Sequence, residues 1–413
     1  METKNKPQQN LIFDYLIVGA GIIGMAIARE IKQRKPEAKV AILEKESLVA
    51  KHGSGRNSGV LHAGFYYTEN SLKAKFTKEG NAALRMYCNQ NHLKINECGK
   101  VVVAQTEADI VGVKELFRRA QINNVEVSMV DTQELKIIEP NAKTVECALY
   151  SPSTATVDPV AIMQRLQQEL EKRGVVFFLA EGYKKRMDAH TITSTQGRTF
   201  SAGKIINAAG LYADQIAKDF KLAKNFTIIP FKGIYLKYTG QDFPIKTNIY
   251  PVPNLENPFL GVHYTVTVDG TIKIGPTAIP AFWRENYQGW DAFNLKEFLE
   301  ILAHEARLLL TDQFNFRKLA FTELRKYNKN YFVNLAANMV KSVDKSGFTE
   351  WSKPGIRAQL LNTKTMQLVQ DFCVEEDQSS IHILNAVSPA FTCSFPFAAW
   401  VVERYVLKNE GEK

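Results

Sequence analysis

Cysteine is scarce in this chain. Five occur among 413 residues, at positions 88, 98, 147, 373 and 393, and no pair has C-x-x-C spacing. That argues against a zinc site or a disulfide framework and fits a reducing compartment. Long apolar runs are missing too: none reaches the roughly 20 residues that a membrane-spanning helix needs. The first ten residues, METKNKPQQN, are polar, with no apolar core before Leu11, which argues against a secretory signal. There is no internal repeat, no low-complexity linker and no basic, aromatic-interleaved module of the kind that binds nucleic acid. No carboxylate pair, Ser-His-Asp arrangement or metal-ligand cluster stands out, so no metal is expected.

What is present suits a globular protein of more than one core. A chain of 413 residues with 45% apolar residues is long enough to build two domains. The net charge is +9, from 52 basic and 43 acidic residues, and the basic residues are scattered. Such a balance fits a solvated surface, or attraction to anionic head groups or anionic substrates.

Order emerges in the first fifty residues. YLIV, at 15–18, reads as a buried strand, an apolar helix follows from about Ile22 to Gln33, and KVAILEK reads as a second buried strand. Strand, helix and strand in so short a span make a parallel βαβ unit. Gly19, Gly21 and Gly24 stand directly behind the first strand as G-x-G-x-x-G. The first permits the tight turn, the second lets backbone approach a pyrophosphate, and the third lets helix and strand pack closely. The helix start then offers free N–H groups and a positive dipole end to phosphates. Glu44 ends the second strand, where a carboxylate can accept from ribose hydroxyls. The motif by itself does not separate NAD from FAD.

The choice follows from SGRNSGVLHAGFYY, residues 54–67. The chain leaves the sheet through these small residues and returns to it only near 158–210, with no further simple βαβ repeat between. KIINAAG at 204–210 and NAVSPAFT near the C-terminus are two more small-residue approaches. Small residues let backbone lie against a long flat molecule. Three separated approaches suggest an extended ligand such as FAD. Residues 226–280 read as β-rich, 294–340 as mostly helical, and the tail as a strand, a small-residue turn and an amphipathic helix.

At this point the chain resembles the FAD-dependent oxidoreductases of the D-amino-acid oxidase and glycerol-3-phosphate dehydrogenase superfamily, and within it the L-2-hydroxyglutarate dehydrogenase/oxidase family. The segments DYLIVGAGIIGMAIA, SGRNSGVLHAGFYYTENSLKAKF, CGKVVVA, INAAGLYADQIA, IYPVPNLENPFLGVHYT, GIRAQL and VSPAFTCSF carry the likeness, from residue 14 to about 400. The resemblance implies an α/β fold with an α+β part: a Rossmann-like FAD domain and a mixed-sheet substrate-binding domain, arranged as in p-hydroxybenzoate hydroxylase. The expected FAD domain is discontinuous, at 11–85, 151–220 and 350–413, with the substrate domain at 86–150 and 221–349.

It further implies non-covalent FAD. Ser54, Asn57 and Ser58 would lie along the cofactor, Gly210 near the pyrophosphate, Tyr183 near the adenine, and Pro389 and Thr392 near the flavin ring. The implied reaction is oxidation of a 2-hydroxy acid, with electrons passed to a quinone or oxygen. A cytoplasmic location is expected, and the apolar tail helix and basic balance suggest peripheral contact with the inner membrane surface. Three departures stand out: Lys232 and Val266 where arginine is expected, and no glycine before the valine of SPSTATVDP. Rival readings are an amino-acid, amine or glycerol-3-phosphate oxidoreductase of the same superfamily, and a non-redox flavin-binding module.

Oxidising a 2-hydroxy acid requires a base for the hydroxyl proton, and histidine suits that task near neutral pH. His62 follows the small-residue stretch directly; it either takes the proton or only bonds backbone or tethers the cofactor. His263, in GVHYT, is the second candidate, or else a histidine packed in a sheet. The substrate carboxylate needs cations and hydroxyl donors. Arg56, Lys232 and Arg357 are the cation candidates, and Tyr66, Tyr67 and Tyr250 the donors.

Overall fold

Strand Asn10–Val18, helix Ile22–Arg34 and strand Val40–Leu43 open the chain in the computed structural model, which describes residues 10–241, 243–253 and 261–408. Residues 1–9, where the absence of a signal was read, lie outside the described residues. So do 254–260, within the segment 249–265 that carries the resemblance, and 409–413. Contacts divide the chain into two units: Met1–Gly55, Val160–Ile228 and Ala358–Lys413 form the first, and Arg56–Pro159 and Ile229–Arg357 the second.

In the first unit the buried runs align as a parallel sheet. Its strands, in spatial order, are Val176–Phe178, Val40–Leu43, Asn10–Val18, Thr199–Asn207 and Ser380–Asn385. An antiparallel pair, Tyr183–Arg186 and Thr191–Ser194, extends it beside the start of Thr199–Asn207. Strands covered on both faces read as continuous apolar runs, and Val40–Leu43 is buried at every position. Leu16, Val18, Leu43, Phe200, Ile205 and Phe220 share one core.

Helix Ala390–Val401 packs on helix Ile22–Arg34 and buries Cys393, Phe397, Ala398 and Val401. The apolar tail helix is therefore a core element. Its hydrophobicity, which suggested a membrane contact, is spent on a neighbouring helix.

The second unit is built on an eight-stranded mixed sheet, in the order Phe348–Trp351, Leu236–Tyr238, Ile272–Gly275, His263–Val266, Asn248–Pro251, Lys100–Val103, Cys147–Ser151 and Ser128–Asp131. Only Asn248–Pro251 and Lys100–Val103 run parallel. Alternation divides this sheet. Val101, Val103, Ile249, Tyr264, Val266 and Ile274 point to one face, where Phe332, Ala336 and Met339 of helix Lys329–Ala337 and its C-terminal turn complete an apolar core. The opposite face carries Lys100, Tyr250, His263, Thr265 and Lys273, as the pairings Ile249↔Tyr264 and Thr265↔Lys273 require.

The first boundary falls at 55 rather than 85. Helix Leu72–Gln90 belongs to the second unit because Asn81 Nδ2 donates to the carbonyls of Leu61, His62 and Ser153.

Candidate functional site

The glycine turn of the first unit is shaped by its own backbone. At Gly19 φ is +105°, and a Cβ there would lie 2.6 Å from the Ala208 carbonyl oxygen, so only glycine fits. The same contact shows that the small-residue approach Asn207-Ala208-Ala209-Gly210 lies against the glycine turn. Ala208 N–H donates to Val18 at 2.9 Å.

Helix Ile22–Arg34 begins at Gly21, which offers no side-chain cap. Ser54 Oγ, at the start of the stretch 54–67, instead accepts the Ile22 N–H at 2.9 Å. Glu44 accepts the N–H groups of Ala20 at 2.8 Å and Glu46 at 3.0 Å, one on each oxygen. A carboxylate has about four lone-pair sites, so two remain for ribose hydroxyls.

Glu181 N–H donates to the Glu44 carbonyl, which places the segment leading into Tyr183 beside Glu44. The Tyr183 hydroxyl turns away to donate to Asp219 at 2.9 Å. Gly210 stands at φ +55° with no atom within 4 Å of where a Cβ would be, so its backbone is open to a ligand. Pro389 caps the start of helix Ala390–Val401, and Thr392 is buried in its first turn. A long phosphate-bearing cofactor fits this arrangement: an open helix start, an uncovered glycine backbone and a clamped acid occur together.

In the second unit residues 56–67 run to the polar face of the sheet. Ala63, Phe65 and Tyr66 pack with Val102 and Tyr250 in one cluster. Asn57 Oδ1 accepts the Gly59 N–H and Ser58 Oγ accepts the Val60 N–H, so both side chains shape the turn. Gly59 has φ +75°, and a Cβ there would lie 2.5 Å from the Val157 carbonyl oxygen. Part of the demand for small residues therefore comes from the protein itself.

His62 is buried, and Asn81 holds its carbonyl at 3.1 Å. Burial lowers its pKa well below 6.5, and Lys100, His263 and Arg357 push it the same way. His263 stacks on Tyr250 with ring centroids 3.7 Å apart. Its Nδ1 lies 2.9 Å from the Gly261 carbonyl oxygen. A carbonyl only accepts, so Nδ1 carries the proton and Nε2 presents a lone pair. Burial, with Lys100, Lys273 and Lys326, takes its pKa down to about 3, against the opposing Gly261 bond. Both imidazoles are neutral at pH 7.

Lys100 is the residue that sequence reasoning passed over. It opens the strand KVVV, is fully buried, and its Nζ has no hydrogen-bond partner among the described residues. The ammonium lies over the rings of Tyr250 at 4.4 Å, Tyr66 at 4.9 Å and Phe65 at 5.3 Å, a cation–π cage. Burial lowers its pKa from 10.5 to about 7, with only Cys98 opposing. The Tyr66 hydroxyl is likewise buried without a hydrogen-bond partner among the described residues, and its pKa is raised by burial.

Lys273 was missed as well. Its Nζ donates to the Ser58 carbonyl at 3.1 Å and lies 4.7 Å from the Tyr235 ring centroid. Burial lowers its pKa to about 8. Its signal was a lysine between two isoleucines in TIKIGP, an alternation that marks the polar side of a strand.

The other predicted cations divide. Arg357 is coupled electrostatically to Tyr235, Tyr67, Glu323 and His62. Arg56 is engaged locally: Nη1 donates to the Pro354 carbonyl at 3.2 Å, and the guanidinium lies 4.2 Å from the Tyr287 ring centroid. Lys232 faces Asn286 Oδ1 at 3.4 Å, and burial alone lowers its pKa. Neither is drawn into the histidine cluster. Val266 lies on the apolar face, in the core. An arginine there would point away from the histidines, so its absence takes no cation from them.

Residues 14–404 match the family model described as FAD dependent oxidoreductase. The L-2-hydroxyglutarate dehydrogenase of Indibacter alkaliphilus is 36% identical, covering 95% of this chain and 98% of that protein. The protein of the same name from Escherichia coli K12 is 34% identical, covering 95% and 93%. Among solved structures, an L-alpha-glycerophosphate oxidase from Mycoplasma pneumoniae with FAD bound superposes with TM-score 0.74 at 21% identity, covering 95% of each chain. Glycine oxidase from Geobacillus kaustophilus gives 0.69 at 17% identity, covering 96% and 95%. These two speak for the fold alone.

Proposed function

The chain belongs to the FAD-dependent oxidoreductase family, and on that premise we propose that it oxidises a 2-hydroxy acid, L-2-hydroxyglutarate, to the 2-oxo acid. The observation that carries the proposal is the polar face of the second unit's sheet. His263 lies there and buried His62 shares its field: Lys100 acts on both imidazoles and Arg357 on His62, a setting that favours an anion carrying a removable proton.

FAD, when bound, supplies the acceptor for the hydride from the α-carbon. Gly19, Gly21, Gly24, Glu44, Ser54 and Gly210 of the first unit would hold its nucleotide part, and Tyr183, Pro389 and Thr392 would contribute to binding the rest.

The protein's own contribution is electrostatic and protic. Arg357 and Lys100 stabilise the acid's negative charge, one by hydrogen bonding and the other through the field of a buried ammonium. His62 takes the hydroxyl proton. His263, fixed by Gly261 and Tyr250, shapes the polar face within the same field as His62 and takes no proton, because the acid has a single hydroxyl proton to give.

The depressed histidine pKa values give this arrangement a condition. A carboxylate placed among these cations cancels part of their field and raises the histidine pKa toward the useful range. Basicity then develops when the anion is present. Electrons leave afterwards to a quinone or to oxygen.

The test is anaerobic mixing of the holoenzyme with L- and D-2-hydroxyglutarate, glycerol 3-phosphate and a panel of amino acids, following the flavin absorption band. Rapid bleaching with L-2-hydroxyglutarate alone supports the reading. Bleaching by an amino acid or glycerol 3-phosphate instead transfers the function to that substrate. No bleaching by any of them rejects a redox role on these compounds.

A further inference from the structure

Strand Thr199–Asn207 of the first unit ends in a side chain with three hydrogen bonds. Asn207 Oδ1 accepts the Ala209 N–H at 3.2 Å, while Nδ2 donates to the Ala213 carbonyl at 2.8 Å and to His382 Nδ1 at 3.0 Å. A backbone donor on one side and a backbone acceptor on the other fix which way this amide faces. Asn207 thereby ties together the chain before and after Gly210, the glycine whose backbone stands open at φ +55°.

His382 is the partner of Asn207 across the parallel pair of strands Thr199–Asn207 and Ser380–Asn385. An amide nitrogen only donates, so His382 Nδ1 accepts and Nε2 carries the proton. That Nε2–H donates to Ser380 Oγ at 2.9 Å, and the Ser380 hydroxyl donates to Asp377 Oδ1 at 2.8 Å. The carboxylate is held in turn by the N–H groups of Ser379 at 2.9 Å and Ser380 at 2.7 Å. Every proton of the chain Asn207–His382–Ser380–Asp377 therefore points one way, away from the turn at 208–210 and toward an acid braced by backbone.

Asn207, Ser380 and His382 are fully buried in the middle of a sheet. Apolar side chains would fill these positions without the cost of desolvating polar groups, so the network calls for a reason. The proposed oxidation makes no use of it. Burial, with Arg186, takes the His382 pKa down to about 4, against the opposing charge of Asp377, and the Phe220 ring packs on the imidazole with centroids 4.9 Å apart. The ring is neutral at pH 7, as an acceptor at Nδ1 must be.

We propose that His382 is a positioning residue for FAD: by accepting from Asn207 it holds the turn Ala208-Ala209-Gly210 in the shape that presents the Gly210 backbone to the cofactor. This inference rests on FAD binding by the first unit and is independent of which acid the enzyme oxidises. Without the acceptor, a buried Nδ2–H of Asn207 is left unpaired, and the amide is no longer fixed against Ala209. FAD must then order a turn that the wild type already has in place, and its apparent affinity falls by the fraction of molecules in which the turn is formed.

The test is titration of FAD into apoprotein, with melting of the apoprotein measured alongside. His382→Leu should weaken FAD affinity about tenfold, the effect of one unpaired buried donor. His382→Asn places a carbonyl oxygen where Nδ1 stands, and should bind FAD within about twofold of wild type. Ser380→Ala removes a single oxygen atom and frees the imidazole to take the tautomer that faces Asn207 with N–H; it should weaken affinity about threefold or more. It is the deciding variant should His382→Leu fail to fold.

Wild-type FAD affinity in His382→Leu overturns the proposal, even where the apoprotein melts lower, because a purely structural role lowers stability and leaves affinity unmoved. Equal weakening by the leucine and asparagine variants also overturns it, since ring volume and not the acceptor is then what counts. If the leucine variant does not fold, unchanged affinity in Ser380→Ala overturns it. Titration of FAD needs no substrate, so failure of the proposed oxidation leaves each of these results intact.

Discussion

Replacing Lys100 with methionine removes a buried ammonium while keeping an unbranched chain of similar size. In the folded protein the Lys100 pKa drops from 10.5 to about 7. At about 1.4 kcal/mol per pKa unit, that displacement corresponds to about 5 kcal/mol of instability when the group is fully charged. Lys100→Met should therefore stabilise the protein by up to about 5 kcal/mol near pH 6.

The sign with pH follows from proton counting. Between about pH 7 and 10.5 the unfolded chain keeps the lysine proton and the folded protein does not, so wild-type stability rises with pH across that window. The advantage of methionine is greatest below pH 7 and fades toward pH 10.5. Thermal melting of the FAD-saturated proteins at several pH values measures this. The KM for the acid should rise in the variant, because the field that favours an anion is gone. A methionine variant less stable than wild type near pH 6, or a stability gap that does not change with pH, would refute the reasoning.

Three other substitutions probe the proposed roles. His62→Ala should slow flavin reduction by about 100-fold or more while FAD content stays at the wild-type level; equal loss of both makes His62 a cofactor tether. Arg357→Met should raise the KM for the acid by roughly ten- to a hundredfold, the worth of a charged hydrogen bond; an unchanged KM removes Arg357 from the carboxylate site. Glu44→Ala frees the N–H groups of Ala20 and Glu46 and should weaken FAD affinity about tenfold or more, measured by titrating FAD into apoprotein; an unaltered affinity means that the acid only braces the turn.

The glycine turn of the first unit was legible because every signal is local. A strand, three glycines, a helix and an acid occupy some thirty residues, and backbone geometry dictates each residue type. Ser54 could be placed along the cofactor, but its bond to Ile22 spans 32 positions and has no periodic signature. The histidines stood out by chemistry, yet their surroundings did not. Lys100, Tyr250 and His263 come from three strands, and only the sheet register brings them together. A lysine heading the apolar run KVVV reads as an exposed strand end until neighbouring strands cover it. Arg56 shows the converse: it sits in the most informative stretch, yet nearby backbone and a tyrosine ring claim it. The tail helix misled because hydrophobicity alone does not say whether lipid or another helix will receive it.

The alternation in the second unit's sheet also bears on how such a protein can change. Alternate positions of strand His263–Val266 and its neighbours face different surroundings: one set the buried polar cluster of histidine and lysine, the other the apolar core. Under the proposed function, substrate preference can drift at positions 263, 265 and 273 while the apolar core behind them stays intact. A one-residue deletion within such a strand would exchange the two sets at a stroke. Point replacement is therefore an open route to new specificity here, and changes of length are closed.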